Sequence, residues 1–308
     1  MNICVLGGTG FVGTELVTRL VRAGHWVRVP TRDLRHADRL RVLDTVELRR
    51  ANVHEPRMLS QLFNGCDAVV NLVGILNSRG RATFGSVHTA LAGKVLAAAR
   101  TAGVLRILHM SSLGAGEQAP SRYLRSKGAA EALLRAPASG DPPQPAVTIF
   151  RPSVIFGAGD SLTNRFARLL RLSAGWLPLA RAGARFAPVS VADVAEAVVR
   201  ALGSARSCGA TYELCGPEIM TLEEIVRLTA QVAGLPCHIV RLPDMVARLQ
   251  GAVMGLLPGA PFSLDNFRSL SLDSLCRENG CAALGIRPLS MLAVLPGYLA
   301  PTLAGAPA

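Results

Sequence analysis

A tyrosine and a lysine four residues apart carry the clearest chemical signal in this chain. The segment Tyr123-Leu124-Arg125-Ser126-Lys127 has a helical pattern, and residues four apart share one face of a helix. An ammonium beside a phenol can lower the pKa of that phenol and hydrogen-bond a ribose. Ser111 and Ser112 end the preceding predicted strand, and a serine hydroxyl there would orient a carbonyl or an alcohol. These groups supply the acid-base chemistry that accompanies hydride transfer.

The lysine of this pair stands out because arginine supplies nearly all of the positive charge. The chain has 33 basic residues, and Lys94 and Lys127 are its only lysines. An exposed basic position in such a chain would nearly always be arginine. Lys127 is therefore predicted to be required as a lysine.

A glycine cluster at the start of the chain predicts where a cofactor binds. The apolar run Ile3-Cys4-Val5-Leu6 leads into Gly7-Gly8-Thr9-Gly10-Phe11-Val12-Gly13, which opens a helix with apolar residues at helical spacing. Gly7 would allow a tight turn, Gly10 a close approach of backbone N–H groups to a diphosphate, and Gly13 close packing of helix on sheet. The alternative is a purely structural turn in an α/β protein. The position of the glycine cluster between a strand and a helix favours a dinucleotide site.

The residues after the second predicted strand indicate which dinucleotide binds. That strand, His25-Trp26-Val27-Arg28-Val29, ends at Pro30-Thr31, and Arg32-Asp33 follow. An acid at this position favours NAD, whereas Arg accommodates the additional phosphate of NADP. Asp33 leaves NAD(H) open, but an Asp after Arg32 is also a good helix cap. The pattern therefore favours NADP(H).

The remaining pattern predicts the scaffold that positions these residues. Strands predicted at 46–49, 68–74, 107–110 and 147–150 alternate with helical segments at 57–63, 87–102 and around Tyr123. This alternation predicts an α/β fold with a doubly wound parallel sheet. Asn52 and Val53 would lie beside the adenine, and residues 72–74 would line the diphosphate and ribose. A proline-rich surface loop is predicted at 137–145, and His88 and His109 are expected to be structural.

Composition limits the class of protein. With 308 residues, 50% of them hydrophobic, the chain can bury a large core. Its first predicted strand starts at Asn2, leaving no room for a signal peptide, so a cytoplasmic location is expected. The 7 Cys form no C-x-x-C pair and are expected to be reduced thiols, and the 6 His are dispersed. No metal is predicted.

The net charge of +12 bears on partners. Arginines concentrate between residues 19 and 50 and between 165 and 185. Aromatic residues make up 5% of the chain and do not alternate with these arginines, so nucleic acid is not predicted. An anionic membrane surface or an acidic partner fits better, beside the alternative of a solvated basic face.

Three further motifs accompany the glycine turn and the Tyr-x-x-x-Lys pair. They are Asn-Leu-Val-Gly-Ile-Leu at 71–76, Arg-Pro-Ser-Val-Ile-Phe-Gly at 151–157 and Pro-Val-Ser-Val-Ala-Asp-Val-Ala at 188–195. Together, over residues 1 to about 235, these motifs resemble the extended or atypical short-chain dehydrogenase/reductase superfamily. More narrowly, they resemble the branch containing the dehydrogenase-like accessory subunit of respiratory complex I and its bacterial homologues.

The resemblance implies a Rossmann domain that binds NADP(H), with Tyr123 and Lys127 in catalytic positions and Ser112 as their serine partner. It places the nicotinamide near residues 152–154. The candidate cofactor-binding residues are then Gly7, Thr9, Gly10, Phe11, Val12, Gly13, Arg32, Asn52, Val53, Leu72, Val73, Gly74, Tyr123, Lys127, Pro152, Ser153 and Val154.

Two features of the resemblance leave the activity open. The interval from Ser112 to Tyr123 is short for an extended member, so the loop that carries substrate contacts is reduced. The complex I relatives, in addition, keep their nucleotide for structure rather than turnover. The alternatives are therefore an NADP(H)-dependent oxidoreductase or epimerase-type enzyme acting on an unknown small or quinone-like substrate, and a non-catalytic accessory or assembly factor of a respiratory membrane complex.

The second half of the chain predicts a smaller, mixed domain. The boundary is expected at residue 156, with a helix near 192–203 returning to the first domain. Thr221 and Glu224 predict a capping box that opens a helix through Ala233. No charged residue follows Arg287, but three prolines make a membrane-spanning helix unfavourable there. Peripheral contact with the inner face of the cytoplasmic membrane is the corresponding hypothesis.

Overall fold

The computed structural model describes residues 1–136, 144–254 and 262–300. In chain order its strands are β1 (Asn2–Leu6), β2 (Trp26–Thr31), β3 (Val46–Arg50), β4 (Ala68–Asn71), β5 (Arg106–Met110), β6 (Ala146–Pro152), β7 (Ile155–Phe156), β8 (Trp176–Ala180), β9 (Arg185–Phe186), β10 (Val189–Ser190), β11 (Thr211–Leu214), β12 (Met220–Thr221) and β13 (His238–Leu242). Its α-helices are α1 (Phe11–Arg22), α2 (Asp38–Arg41), α3 (Pro56–Phe63), α4 (Leu91–Thr101), α5 (Arg122–Arg135), α6 (Thr163–Leu172), α7 (Val191–Leu202), α8 (Leu222–Val232), α9 (Asp244–Met254), α10 (Leu264–Ser269), α11 (Gly280–Ala283), α12 (Met291–Val294) and α13 (Pro296–Leu299). A π-helix spans Gly85–Ala90, and short 3-10 helices span Leu34–Ala37 and Ala205–Ser207.

The central sheet confirms the predicted doubly wound α/β fold. Within the described residues, seven strands pair in parallel in the order β11-β6-β5-β4-β1-β2-β3. Strand β4 is buried throughout, and β1 is buried from its second residue onward, as expected when helices cover both faces of a parallel sheet. The strand order reverses beside β1. Ligands of such sheets bind at this reversal, beyond the carboxyl ends of the strands.

Two elements differ from their predicted bounds by more than two residues. Strand β4 ends at Asn71 rather than at residue 74, because the Asn71 side-chain oxygen accepts a hydrogen bond from the Val73 N–H at 3.2 Å and turns the chain. The helix predicted at 87–102 is a π-helix followed by α4. Of the loop predicted at 137–145, residues 137–143 lie outside the described residues.

The chain divides into two compact units, of which unit 1 carries the central sheet. It contains residues 1–152, 191–214 and 277–287. Helix α7 packs against α1, with a 3.0 Å ion pair between Arg19 and Glu196, and β11 adds the last strand. The segment 277–287 packs on β11, where a Cβ at Gly280 would lie 2.9 Å from that of Tyr212. No sequence signal marked this segment as part of unit 1.

Unit 2 contains residues 153–190, 215–276 and 288–308. Among its described residues, three small two-stranded sheets pair β7 with β10, β8 with β13 and β9 with β12. A core of aliphatic side chains from α6, β8 and α8 lies in this unit. Helix α8 begins with the predicted capping box: the Glu224 N–H donates to Thr221 Oγ1 at 3.2 Å and the Thr221 N–H to Glu224 Oε2 at 2.7 Å. Within the described residues, no helix is long and apolar enough to span a membrane.

The expectation that all cysteines are reduced is wrong for two of them. Cys215 and Cys276 form a disulfide, with Cα atoms 6.0 Å apart. The two residues are separated by 61 positions, and no sequence spacing marked them as a pair. The bond closes the longest continuous segment of unit 2 on itself.

Candidate functional site

The glycine turn after β1 has no room for side chains at two of its positions. Gly7 adopts a φ of +81°, which favours glycine. A Cβ at Gly13 would lie 2.2 Å from the Gly7 carbonyl oxygen, and one at Gly8 would lie 2.8 Å from a methyl group of Val29. Gly8 was not assigned a role from the sequence, since its neighbour lies on β2. The turn therefore packs closely against the start of α1 at Gly13 and against β2 at Gly8.

The first turn of α1 leaves its backbone N–H groups available to a ligand. Gly10 is the N-cap and has no side chain to accept a hydrogen bond from them. Thr9, Phe11 and Val12 are partly exposed around this helix start. A helix N-terminus with uncapped N–H groups attracts anions through hydrogen bonds and the helix dipole. The geometry therefore fits the diphosphate of a dinucleotide.

The segment after β4 connects this turn to the Tyr-Lys pair. A Cβ at Gly7 would lie 3.3 Å from the backbone of Leu72 and Val73. Two residues on, a Cβ at Gly74 would lie 3.4 Å from the Lys127 ammonium nitrogen. The glycine turn, residues 72–74 and Lys127 thus form one continuous surface within unit 1.

Lys127 is held in place by burial and by the end of β5. Lys127 is 4% exposed, and its ammonium donates a hydrogen bond to the Met110 carbonyl oxygen at 2.8 Å. Burial lowers the pKa of Lys127 to about 8, an effect that the nearby Glu131 carboxylate opposes. The ammonium is thus charged at neutral pH.

The pKa of Tyr123 differs from the sequence expectation. The expectation was a phenol whose pKa is lowered by the lysine. Instead, burial raises the pKa of Tyr123, while a hydrogen bond with Ser112 lowers it in part. The cause is desolvation of the ring, which disfavours the phenolate. The same hydrogen bond joins Tyr123 to Ser112, whereas the Ser111 hydroxyl donates to Glu131 at 2.5 Å.

His88 supports the tyrosine from the π-helix. Its Nε2 lies 3.0 Å from the Ile75 N–H and accepts a hydrogen bond, so Nδ1 carries the proton and donates to Ser126 Oγ at 2.8 Å. Ser126 Oγ in turn donates to the Tyr123 carbonyl oxygen at 2.7 Å. Burial and the Lys127 charge lower the pKa of His88 to about 3, so the ring is neutral. This agrees with the hydrogen-bonded structural role expected for His88.

A buried carboxylate anchors the same face of α5, one turn beyond Lys127. Glu131 is 1% exposed and receives two hydrogen bonds from the Arg151 guanidinium, at 2.6 and 2.9 Å. Arg135 adds an ion pair at 3.1 Å. The spacing of Lys127, Glu131 and Arg135 places them one helical turn apart, but the partner on β6 had no sequence signal.

The short loop between Ser112 and Tyr123 packs directly on α5. A Cβ at Gly128 would lie 2.5 Å from the Gly116 Cα, so only glycine permits this approach. The Arg125 guanidinium donates to the Ala119 carbonyl oxygen at 2.8 Å and ties down the rest of the loop.

Arg32 and Asp33 occupy the positions expected at the end of β2. The Asp33 carboxylate caps the following 3-10 helix and is engaged by the Arg35 guanidinium at 2.8 Å, which confirms its predicted capping role. Arg32 is exposed, and it lines a surface cleft together with Arg50 and Asn52. The cleft therefore presents two guanidinium groups and one carboxylate, that of Glu55.

The remaining candidate residues divide between the two units. Val53 packs against the unit 1 core, and the carbonyl of Pro152 accepts a hydrogen bond from the Leu113 N–H at 3.0 Å. Ser153 and Val154 belong to unit 2, where the Ser153 hydroxyl donates to the Ser274 carbonyl oxygen at 2.8 Å. Among the described residues, no three His, Cys, Asp or Glu side chains cluster at metal-binding distance.

A parallel sheet with a glycine turn at its strand reversal defines this chain as a Rossmann-type, dinucleotide-binding protein. The family model of the NAD dependent epimerase/dehydratase family matches residues 3–215, and the chain belongs to that NAD(P)-binding family. The expected membership of the extended short-chain dehydrogenase/reductases is thereby confirmed.

Two relatives of this chain have names that indicate different roles. Subunit 9 of the mitochondrial NADH dehydrogenase [ubiquinone] 1 alpha subcomplex of Arabidopsis thaliana is 32% identical over 292 residues, covering 89% of this chain and 71% of the relative. The ceramide reductase of Caulobacter vibrioides is 30% identical over 262 residues, covering 82% and 77%.

Solved structures share the fold. The NADPH-dependent quinone oxidoreductase QOR2 of Escherichia coli, in complex with NADPH, superposes with a TM-score of 0.75 at 19% identity, covering 96% of this chain and 99% of that one. MoeE5 in complex with UDP-glucose and NAD has a TM-score of 0.72 at 19% identity, covering 96% of each chain.

Proposed function

We propose that this chain is an NADP(H)-dependent oxidoreductase or epimerase-type enzyme that uses Tyr123, Lys127 and Ser112. The observation that carries the proposal is the continuity of the glycine turn, residues 72–74 and the Lys127 ammonium. It supports a single site in which a dinucleotide held at α1 extends toward the Tyr-Lys pair. The candidate cofactor-binding residues named from the sequence are kept as part of this proposal.

Each protein group has a distinct task in the proposed reaction. When bound, the nicotinamide cofactor supplies or accepts hydride. Tyr123 donates a proton to a substrate oxygen or removes one. Ser112 orients that oxygen with its own hydroxyl, which is hydrogen-bonded to Tyr123. Lys127, cationic below a pKa of about 8, stabilises negative charge on the phenol and binds a ribose hydroxyl.

The proposed preference for NADP(H) rests on Arg32. Asp33 is occupied by the cap and by Arg35, so it is a poor acceptor for a ribose hydroxyl. Arg32 is exposed in a cleft that also contains Arg50, and two guanidinium groups there would favour an added phosphate.

Identification of the bound nucleotide, followed by a turnover assay, tests the proposed enzymatic activity. The nucleotide that copurifies is identified, and the protein with NADPH is then mixed with a panel of carbonyl compounds and quinones while absorbance of the reduced nicotinamide is followed. Oxidation by one of them that Tyr123→Phe slows by about a hundredfold supports the proposal. Tyr212→Phe, which alters a tyrosine outside the site, is the matched control. Equal rates in wild type and Tyr123→Phe would contradict the assigned role.

A second candidate is a nucleotide-bound accessory or assembly factor of a respiratory membrane complex, located at its cytoplasmic face. The 32% identity to a complex I subunit over 89% of this chain favours it. Tight retention of the nucleotide, without exchange or oxidation and unaffected by Tyr123→Phe, would select this role over the enzyme.

A further inference from the structure

Helix α9 of unit 2 has its large apolar side chains on the outside. Met245 is 83% exposed and Leu249 66% exposed, and Val246 and Val253 are exposed beside them. With 100° between successive residues, these side chains occupy one continuous outward arc. A surface helix of a soluble domain normally places polar residues there.

The inward face of α9 carries small residues instead. Ala247 and Gly251 are buried, and a Cβ at Gly251 would lie 3.2 Å from the backbone of Leu264 at the start of α10. Small residues allow two helices to approach closely while larger apolar groups face outward. The outward side chains of α9 are thus positioned to contact an apolar medium.

Helices α9 and α10 carry two carboxylates, Asp244 and Asp265, and two guanidinium groups, Arg248 and Arg268. Arg248 lies at the edge of the apolar arc, 5.8 Å from the centre of the Phe267 ring, and Arg268 is exposed on α10. In the part of the chain that the structure describes, neither guanidinium has an ion pair with a carboxylate. Asp244, at the start of α9, is paired with Arg181 at 2.7 Å. The surface therefore combines a broad apolar face with unpaired positive charge.

We propose that the outward face of α9 binds the interfacial region of a bilayer that contains anionic lipids. The apolar side chains enter the boundary between headgroups and acyl chains, and Arg248 and Arg268 contact lipid phosphates. A second copy would present the same Arg248 and Arg268 rather than anionic groups, so charge favours the lipid surface. This inference is independent of the proposed enzymatic function.

Vesicle cosedimentation at low salt tests the proposal on the full chain. Wild-type protein is mixed with vesicles of phosphatidylcholine alone and with vesicles of equal parts phosphatidylcholine and phosphatidylglycerol. Stronger binding to the second is expected. The double variant Met245→Ser, Leu249→Ser should reduce binding to both by about tenfold or more, because two exposed apolar groups are lost. Arg248→Gln with Arg268→Gln should reduce binding to the anionic vesicles only.

A control variant separates a lipid-binding face from general surface apolarity. Leu105 and Val42 are 69% and 79% exposed in unit 1, and replacing both by Ser should leave vesicle binding unchanged. Circular dichroism and nucleotide titration confirm that each variant is folded. Failure of the wild type to bind either vesicle overturns the proposal, as does undiminished binding of the α9 variant. A wild-type dimer in sedimentation that Leu249→Ser converts to monomer would instead assign the face to a second copy and overturn the lipid proposal.

Discussion

Replacing Gly13 by Ala should weaken dinucleotide binding by displacing the turn that holds the diphosphate. The new Cβ would lie 2.2 Å from the Gly7 carbonyl oxygen and 2.6 Å from the Gly8 Cα. Both neighbours are backbone atoms, so no side-chain rotation relieves the contact. An ordinary van der Waals contact begins near 3.4 Å, so the turn and α1 must separate by about 1 Å.

The expected magnitude follows from the hydrogen bonds at stake. A backbone N–H that donates to a charged group contributes about 1.5–3 kcal/mol, and about 1.4 kcal/mol corresponds to a factor of ten in affinity. Misplacing even one such N–H at the start of α1 should therefore weaken NADPH binding by about tenfold to a hundredfold. Overpacking should also lower the free energy of unfolding by about 1–3 kcal/mol.

Isothermal titration of nucleotide-free protein with NADPH measures the first effect, and urea unfolding measures the second. Gly93→Ala is the matched control, since a Cβ at Gly93 in α4 meets only the terminal methyl groups of Leu133, at 3.4 Å. That variant should bind NADPH normally and gain up to about 1 kcal/mol from helix propensity. Unchanged NADPH affinity in a folded Gly13→Ala variant would refute the role given to the glycine turn.

Three further predictions concern stability and are checked by urea unfolding. Replacing both Cys215 and Cys276 by Ser should lower the free energy of unfolding by about 4 kcal/mol, because the bond closes a loop between residues 61 positions apart, and reductant should then have no further effect. Glu131→Gln should cost about 3–5 kcal/mol, since it leaves the buried Lys127 ammonium and the half-buried Arg151 guanidinium without a carboxylate. A cost near zero would show that the carboxylate is replaceable. The pKa of His88 is about 3 in the folded protein, so the unfolded chain binds one more proton at this residue as pH falls below about 6.5. His88 should therefore remove about 1.4 kcal/mol of stability per pH unit between pH 6 and pH 4. His88→Gln should reduce the measured slope by that amount, and the contribution of the buried His109, whose pKa burial also lowers to about 3, should remain. A slope unchanged in the variant would contradict a neutral buried ring.

The parallel sheet and the start of helix α8 were accessible from the sequence because local signals specify them. Continuous apolar runs identify buried strands such as β1 and β4, and the capping pair at Thr221 and Glu224 identifies a helix start through its own hydrogen bonds. Asp33 illustrates the same point. It lies two residues beyond the end of β2, which favoured a role as helix cap over a role as ribose acceptor.

The features that the sequence did not reveal depend on contacts between distant segments. The partnership of Glu131 with Arg151 joins α5 to β6, and the disulfide joins residues on separate elements. The pKa of Tyr123 was misjudged because desolvation depends on what packs around the ring, which residue spacing does not encode. The outward apolar face of α9 likewise becomes visible only when the packing direction of Ala247 and Gly251 is known.

We propose that the glycine turn holds a nicotinamide dinucleotide whose adenosine phosphate is bound by Arg32. Titration of nucleotide-free wild type, Arg32→Asp and Arg39→Asp with NADPH and NADH tests it most directly, since Arg39 is an exposed arginine that does not line the cleft. We expect tighter binding of NADPH than of NADH by the wild type, a shift toward NADH by about tenfold or more in Arg32→Asp, and no shift in Arg39→Asp. Binding of neither nucleotide by the wild type would contradict the account as a whole, and an unchanged ratio in Arg32→Asp would contradict the assignment of Arg32.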